Sequence, residues 1–195
     1  MKKNNDFDSS KVLLFIGNSG SGKDTIMREL KEKLDSLGAS TIIPKRFITR
    51  KNHVSENFVS LDEETFIQYV NELKFILHWF IYGNYYGFLK SDIYPYLDGK
   101  NYILMNISRA ISMDALTKLP DAKLIKLEVD KSIAIERITR RKRDTNQMVE
   151  QRITRMERDI PLPEIFITLK NNVPSDISTN VQKIVNKLLI STEVL

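Results

Sequence analysis

The chain contains no cysteine, only two histidines and one tryptophan among its 195 residues. Without thiols it can form no disulfide, no zinc–thiolate or iron–sulfur site and no cysteine nucleophile. Two isolated histidines, His53 and His78, argue against a metal–histidine cluster, and both are expected at the surface or in packing. No apolar run reaches the ~18 residues of a membrane-spanning helix, and the opening MKKNNDFDSSK lacks the apolar stretch of a signal peptide. The expected setting is therefore cytoplasmic, with no membrane partner. The chemistry must come from Lys, Arg, Asp, Glu, hydroxyls and backbone amides.

What is present suits one core-bearing domain: 42% of residues are hydrophobic. The net charge of +5 points to an anionic partner, and nucleic acid, an acidic membrane surface or a phosphorylated metabolite would each satisfy it. The densest basic run, RITRRKRDT at 137–145, lies inside the chain and continues a helical pattern, unlike a disordered tail.

Along the chain, KVLLFIG reads as a buried strand and DTIMRELKEKLDSLG as an amphipathic helix ended by Gly38. STIIPKRFITR suggests one further strand. SLDEETFIQYVNEL reads as a helix capped by Ser60, with Glu63 completing a capping box. KFILHWFIYGNYYGF predicts a hairpin around Gly83–Asn84. NYILMNIS and AKLIKLEVD are buried strands, SIAIERITRRKR and NQMVEQRITRMERDI basic helices, and EIFITLKNN and ISTNVQKIVNKLLI a last strand and closing helix. Strands alternating with helices predict an α/β fold with a parallel sheet covered on both faces.

Between the first strand and helix stands GNSGSGKDT. Gly17, Gly20 and Gly22 allow the backbone of Gly17, Asn18, Ser19, Gly20, Ser21 and Gly22 to turn amides inward at a helix N-terminus. Phosphate is favoured there, and Lys23 can reach the outer phosphates of a nucleotide. Asp24 stands where the phosphate-loop pattern G-x-x-x-x-G-K-[ST] has a hydroxyl. A carboxylate is a hard oxygen ligand, so Asp24 can hold Mg²⁺ directly or through water, with Thr25 supplying the hydroxyl one residue later. Asp24 is also a candidate cap for the helix it opens.

The order and spacing of SGSGKDT, RFITR (46–50), SENFVSLDEETF (55–66), LHWFIYGNYYG (77–87), MNISRA (105–110) and LKNN (169–172) resemble the guanylate-kinase-like group of P-loop phosphotransferases. Within it they are most similar to the ribose 1,5-bisphosphate phosphokinases. The resemblance implies a P-loop NTPase fold within a single domain, residues 1–195. Its core would comprise about 11–45, 98–135 and 163–195, with a β-rich acceptor region at about 46–97 and a helical lid at about 136–160. It implies ATP and Mg²⁺ as cofactors, with Asn171 and the lid residue Arg137 near the nucleotide.

True guanylate kinases share GNYYG but differ at the positions that read guanine. In the resemblance, their guanine-binding glutamate becomes Leu77, a hydroxyl residue becomes Phe88, and two acidic positions become Asn106 and Ser108. Glu56 falls where a phosphate-binding tyrosine is expected. A site built to hydrogen-bond guanine loses discrimination without those partners, so the expected acceptor is a phosphorylated sugar. Arg46, Arg50 and Arg109 can fork onto phosphate oxygens, Tyr86 can donate its hydroxyl, and Glu56, Asn57, Asn106 and Ser108 can meet ribose hydroxyls. Trp79 and Phe80 are expected in packing.

In the basic segment, Arg137 and Arg141 lie four apart on one helix and Arg152 and Arg155 three apart on the next. The resemblance makes Arg141 and Arg152 the arginines that close over the phosphates and, with Lys23, the catalytic set. Lys142, Arg143 and Arg158 are expected to be solvated. The run lacks interleaved aromatics to stack bases, so no nucleic-acid partner is expected. The implied reaction passes the γ-phosphoryl of ATP to the 1-phosphate of ribose 1,5-bisphosphate. A nucleoside monophosphate kinase and a non-catalytic nucleotide-binding module remain open, as do monomer and homodimer.

Overall fold

The structure, a computed structural model, describes residues 7–50, 58–140 and 146–192. Its organising element is β1 (Val12–Gly17), the middle strand of a five-stranded parallel sheet. The sequence VLLFIG is apolar throughout because both faces are covered. Val12, Leu14 and Ile16 enter one core cluster, and Leu13 and Phe15 the other. Each such fully buried side chain contributes about 1.5–3 kcal/mol.

The sheet runs β2 (Thr41–Ile42), β7 (Tyr102–Asn106), β1, β8 (Lys123–Glu128), β9 (Ile167–Lys170). On the Leu13/Phe15 side lie α1 (Lys23–Ser36) and α6 (Asp176–Thr192). They present Ile26, Leu30 and Leu34, and Val181, Ile184 and Leu188, at helical spacing. Gly38, at φ 83°, closes α1, and the next amide, of Ala39, returns to the Leu34 carbonyl at 3.1 Å.

STIIPKRFITR is not one strand. Thr41–Ile42 pairs with β7, whereas β3 (Arg46–Ile48) joins a second, mixed sheet ordered β4 (Phe58–Ser60), β3, β6 (Asn84–Leu89), β5 (Phe75–Ile81). Pro44, without an N–H, sits between the two pieces, where the chain leaves one ladder for the other.

Two boundary expectations are corrected by the same sheet. Ser60 ends β4 and donates its hydroxyl to the Arg50 carbonyl at 2.7 Å, so it caps nothing. The cap of α2 (Glu63–Asn71) is Asp62, which accepts the Thr65 amide at 2.7 Å. The β5–β6 turn is Tyr82–Gly83 rather than Gly83–Asn84. Both residues have positive φ (53° and 70°), and Asn84 already pairs with Ile81.

A short 3₁₀ turn, Arg109–Ile111, leads from β7 into α3 (Ser112–Lys118), too short at seven residues to announce itself by periodicity. The basic helices are α4 (Lys131–Arg140) and α5 (Asn146–Met156), as expected. The carboxyl ends of β1 and β7, the tip of the β5–β6 hairpin and one face of α5 converge on a single cleft.

Candidate functional site

The glycine loop turns sharply out of β1 into α1. Gly20 and Gly22 have φ of 84° and 86°, and a side chain on either would collide with a neighbour: the Ala134 carbonyl at 2.9 Å for Gly20, the Asn171 amide for Gly22. Gly22 is the N-cap of α1, and no side chain caps the helix. The expectation that Asp24 caps α1 is thereby corrected: Asp24 lies inside the first turn, at the helix end that favours an anion. Lys23 Nζ donates to the carbonyls of Gly17 (2.9 Å) and Asn18 (3.0 Å) and to Ser21 Oγ (3.3 Å), which holds the ammonium over the loop.

Arg137 and Asn171 support this loop from behind. Arg137 Nη1 donates to the carbonyls of Gly20 (3.1 Å) and Asn171 (2.9 Å), and Nη2 to that of Asn172 (2.8 Å). Asn171 Nδ2 donates to the Ser21 carbonyl at 2.8 Å. Neither Arg137 nor Asn171 lines the cleft.

At the acceptor side Asn106, the last residue of β7, donates to Asp24 Oδ1 at 2.6 Å, and an Arg46 guanidinium nitrogen stands 3.8 Å from the same oxygen. Tyr86 stacks on Trp79, ring centroids 5.5 Å apart and planes within 8°, and both line the cleft. Arg50 lies over the Phe58 ring at 5.2 Å. Phe80 is 61% exposed, yet it packs within the aromatic hairpin as expected, its ring 4.7 Å from that of its cross-strand partner Tyr85, and it does not line the cleft. Trp79, 8% exposed, packs as expected and also forms a wall. His78 is exposed and leans toward Phe75, and Arg158 is exposed as well.

Helix α5 contributes a buried cation. Arg152, 6% exposed, donates to Ser19 Oγ at 2.9 Å and lies 4.5 Å over the Tyr82 ring. Arg155, one turn on, lies 5.9 Å from that ring and donates to Ser108 Oγ at 3.4 Å, while Arg109 Nη2 donates to the Arg155 carbonyl at 3.0 Å. Burial, and then the charge of Arg155, lowers the Arg109 pKa. Burial raises that of the Tyr82 phenol against the opposing pull of Arg152, Arg155 and Arg109.

These groups line an open cleft of about 150 Å³. Among the described residues it is lined by six cations, Lys23, Arg46, Arg50, Arg109, Arg152 and Arg155, and by one carboxylate, Asp24. Thr25, Tyr86, Asn106 and Ser108 also line it. Glu56, Asn57, His53, Arg141, Lys142 and Arg143 lie outside the described residues. Sequence reasoning missed Tyr82, whose only signal is its place before Gly83 in a two-residue turn, and did not give Arg155 a place in the site.

The donor set suits a polyphosphate with a hard cation: an uncapped helix N-terminus, a lysine, and the oxygens of Asp24 and Thr25 beside them. No group of three or more His, Cys, Asp or Glu that could hold a metal occurs among the described residues. Mg²⁺ binds through one or two protein oxygens together with phosphates, and Asp24 and Thr25 beside the loop offer such oxygens.

No family model matches the chain. It is 32% identical over 146 residues to the ribose 1,5-bisphosphate phosphokinase PhnN of Thiobacillus denitrificans, covering 74% of this chain and 76% of that protein. It is 42% identical to a guanylate kinase of Clostridium perfringens over 103 residues, 50% of this chain and 46% of the relative. The fold matches the crystal structure of guanylate kinase from Anaplasma phagocytophilum with a TM-score of 0.65 at 19% identity, covering 95% and 88% of the two chains. With the phosphate loop and the arginine-lined cleft in place, the chain belongs to the ribose 1,5-bisphosphate phosphokinase family, within the guanylate-kinase-like group of ATP-dependent P-loop kinases.

Proposed function

We propose that this kinase transfers the γ-phosphoryl of ATP to the 1-phosphate of ribose 1,5-bisphosphate, giving 5-phosphoribosyl 1-diphosphate and ADP. The observation that carries the reading is the pair Leu77–Phe88. The two residues face each other across the β5–β6 hairpin, are 0% and 1% exposed, and belong to the apolar core. In the resemblance to guanylate kinases these are the positions that would meet guanine with polar groups, and the cleft offers the cations Arg46, Arg50 and Arg109 instead. A core leucine and phenylalanine cannot repay the desolvation of a base edge, whereas arginines suit phosphate oxygens.

In this reading the loop from Gly17 to Gly22 and Lys23 hold the ATP phosphates, while Arg137 and Asn171 fix the loop that holds them. Asp24 and Thr25 would hold Mg²⁺, which would supply charge neutralisation at the phosphates. Arg46 and Arg50 take the acceptor's 1-phosphate, and Tyr86, Asn106 and Ser108 meet the sugar; Glu56 and Asn57, outside the described residues, are assigned to its hydroxyls by the resemblance alone. The nucleophile is a phosphate oxygen, already anionic at neutral pH, so no general base is required. The end of β7 carries the amide Asn106 in keeping with this. Lys23, Arg152 and Arg141 stabilise the charge of the transferring group, and the buried seat of Arg152 strengthens that effect.

The test is ADP release with ATP and Mg²⁺, run in parallel with ribose 1,5-bisphosphate and GMP. Turnover with the sugar bisphosphate alone is expected. Turnover with GMP at a comparable rate would overturn the acceptor assignment and leave a guanylate kinase.

A further inference from the structure

We propose that Arg155, Arg109 and the Tyr82 phenol form a second phosphate subsite, which takes the acceptor phosphate that is not itself phosphorylated. The inference rests on the acceptor being a sugar bisphosphate and specifies how its two phosphates are divided.

Three separate elements bring these groups together: the turn after β7, helix α5 and the tip of the β5–β6 hairpin. Arg109 donates to the backbone of Arg155, and Arg155 reaches Ser108, the neighbour of Arg109. Two partly buried guanidiniums therefore stand side by side, and among the described residues neither meets a carboxylate. Like charges in such a position repel and are poorly hydrated, and an anion relieves both costs. Tyr82 adds a neutral donor, because burial keeps its phenol protonated far above neutral pH.

Direction separates this pair from the transfer machinery. Arg152 and Arg155 lie three apart on α5, so they share a face, and both meet the Tyr82 ring, at 4.5 and 5.9 Å. Arg152 turns to Ser19 of the phosphate loop, whereas Arg155 turns to Ser108 at the end of β7. One aromatic ring thus meets a cation that reaches the phosphate loop and a second cation that reaches the segment after β7. A bisphosphate has a phosphate for each.

The experiment uses the whole enzyme and two fragments of the acceptor as competitive inhibitors: ribose 5-phosphate, which carries only the distal phosphate, and ribose 1-phosphate, which carries only the transfer phosphate. In Arg155→Gln the Ki of ribose 5-phosphate is expected to rise about 10- to 100-fold, the loss of one charge-assisted contact, and that of ribose 1-phosphate far less. The KM for the bisphosphate rises with the ribose 5-phosphate Ki while kcat falls less, and Arg155→Lys recovers part of the loss. Thermal midpoints check that each variant is folded, and the lysine variant carries the comparison if the glutamine variant is not. An equal rise in both Ki values, or a loss confined to kcat, overturns the subsite and makes Arg155 part of lid closure. No inhibition of the unaltered enzyme by ribose 5-phosphate also overturns it. Absence of any turnover with ribose 1,5-bisphosphate instead overturns the acceptor reading, and the inference with it.

Discussion

Asn106 Nδ2 donates a 2.6 Å hydrogen bond to Asp24 Oδ1, joining the end of β7 to the first turn of α1. The bond gives the aspartate in the phosphate loop a defined direction: its carboxylate points across the cleft mouth, beside Arg46, rather than back onto its own helix. Asp24 thus stands between the nucleotide and acceptor sides. If it holds Mg²⁺, Asp24→Ala raises the Mg²⁺ concentration for half-maximal rate by about tenfold or more, and Asn106→Ala does so to a smaller degree. The double variant is less than additive, with a coupling of about 0.5–3 kcal/mol. An unchanged Mg²⁺ titration in Asp24→Ala removes it from the metal site.

Lys23→Ala is expected to lower kcat by about 10²- to 10³-fold, the scale seen when one preorganised donor to a transferring group is lost. Among the ammonium's partners are two carbonyls and one hydroxyl of its own loop. The fold should therefore survive, and circular dichroism with a thermal melt checks it. A folded variant with an unchanged rate would sink the kinase mechanism.

Two glycine substitutions separate backbone strain from site collapse. Gly22→Ala and Gly83→Ala both force a left-handed alanine, at φ 86° and 70°, a cost of about 1–2 kcal/mol each. Gly83 has open space around it, whereas a side chain at Gly22 strikes Asn171, whose amide also holds the Ser21 carbonyl. Gly22→Ala should therefore lose more stability and weaken ATP binding, while Gly83→Ala keeps ATP affinity. Calorimetric titration with ATP distinguishes them, and equal affinities would show that the loop tolerates the displacement.

The acid limb of stability should carry a contribution from Asp176. Its carboxylate accepts the amides of Asn172 (2.7 Å) and Val173 (3.0 Å), and these backbone bonds, Val173 first, hold its pKa below the ordinary carboxylate value. A depressed pKa stabilises the fold above the unfolded value of about 4, and the effect disappears as pH falls through the folded value. Urea midpoints measured from pH 6 to pH 3 should fall more steeply for the unaltered chain than for Asp176→Ala. Parallel curves would mean that the Asp176 carboxylate does not titrate with folding. The same segment presents the Asn172 carbonyl to Arg137, so the variant should also loosen the back of the phosphate loop.

Much of this was legible in the residues because the signals are local. A continuous apolar run, a glycine loop and an amphipathic helix occupy adjacent positions, and VLLFIG–GNSGSGKDT–helix is what the fold contains. The misreadings occur where a choice was settled elsewhere in the chain. STIIPKRFITR has strand composition throughout, but its two halves pair with β7 and β6, partners about 40 to 60 residues away. Ser60 is a good cap by type, yet pairing with β3 draws it into a strand and leaves Asp62 to open the helix. A shift of one residue in the hairpin turn places Tyr82 at the tip.

The sequence by itself determined the α/β class, the phosphate loop with its lysine and the supply of arginines, because periodicity and motif are properties of neighbouring residues. Only the tertiary structure decided which arginine faces which group. Arg137 and Arg152 look alike in the basic segment, yet one holds the loop from behind and the other reaches into the cleft. The convergence of Arg109, Arg155 and Tyr82 depends on three elements meeting at the end of a parallel sheet. Strand order, hairpin register and helix rotation set that meeting, and each is fixed by burial against distant residues.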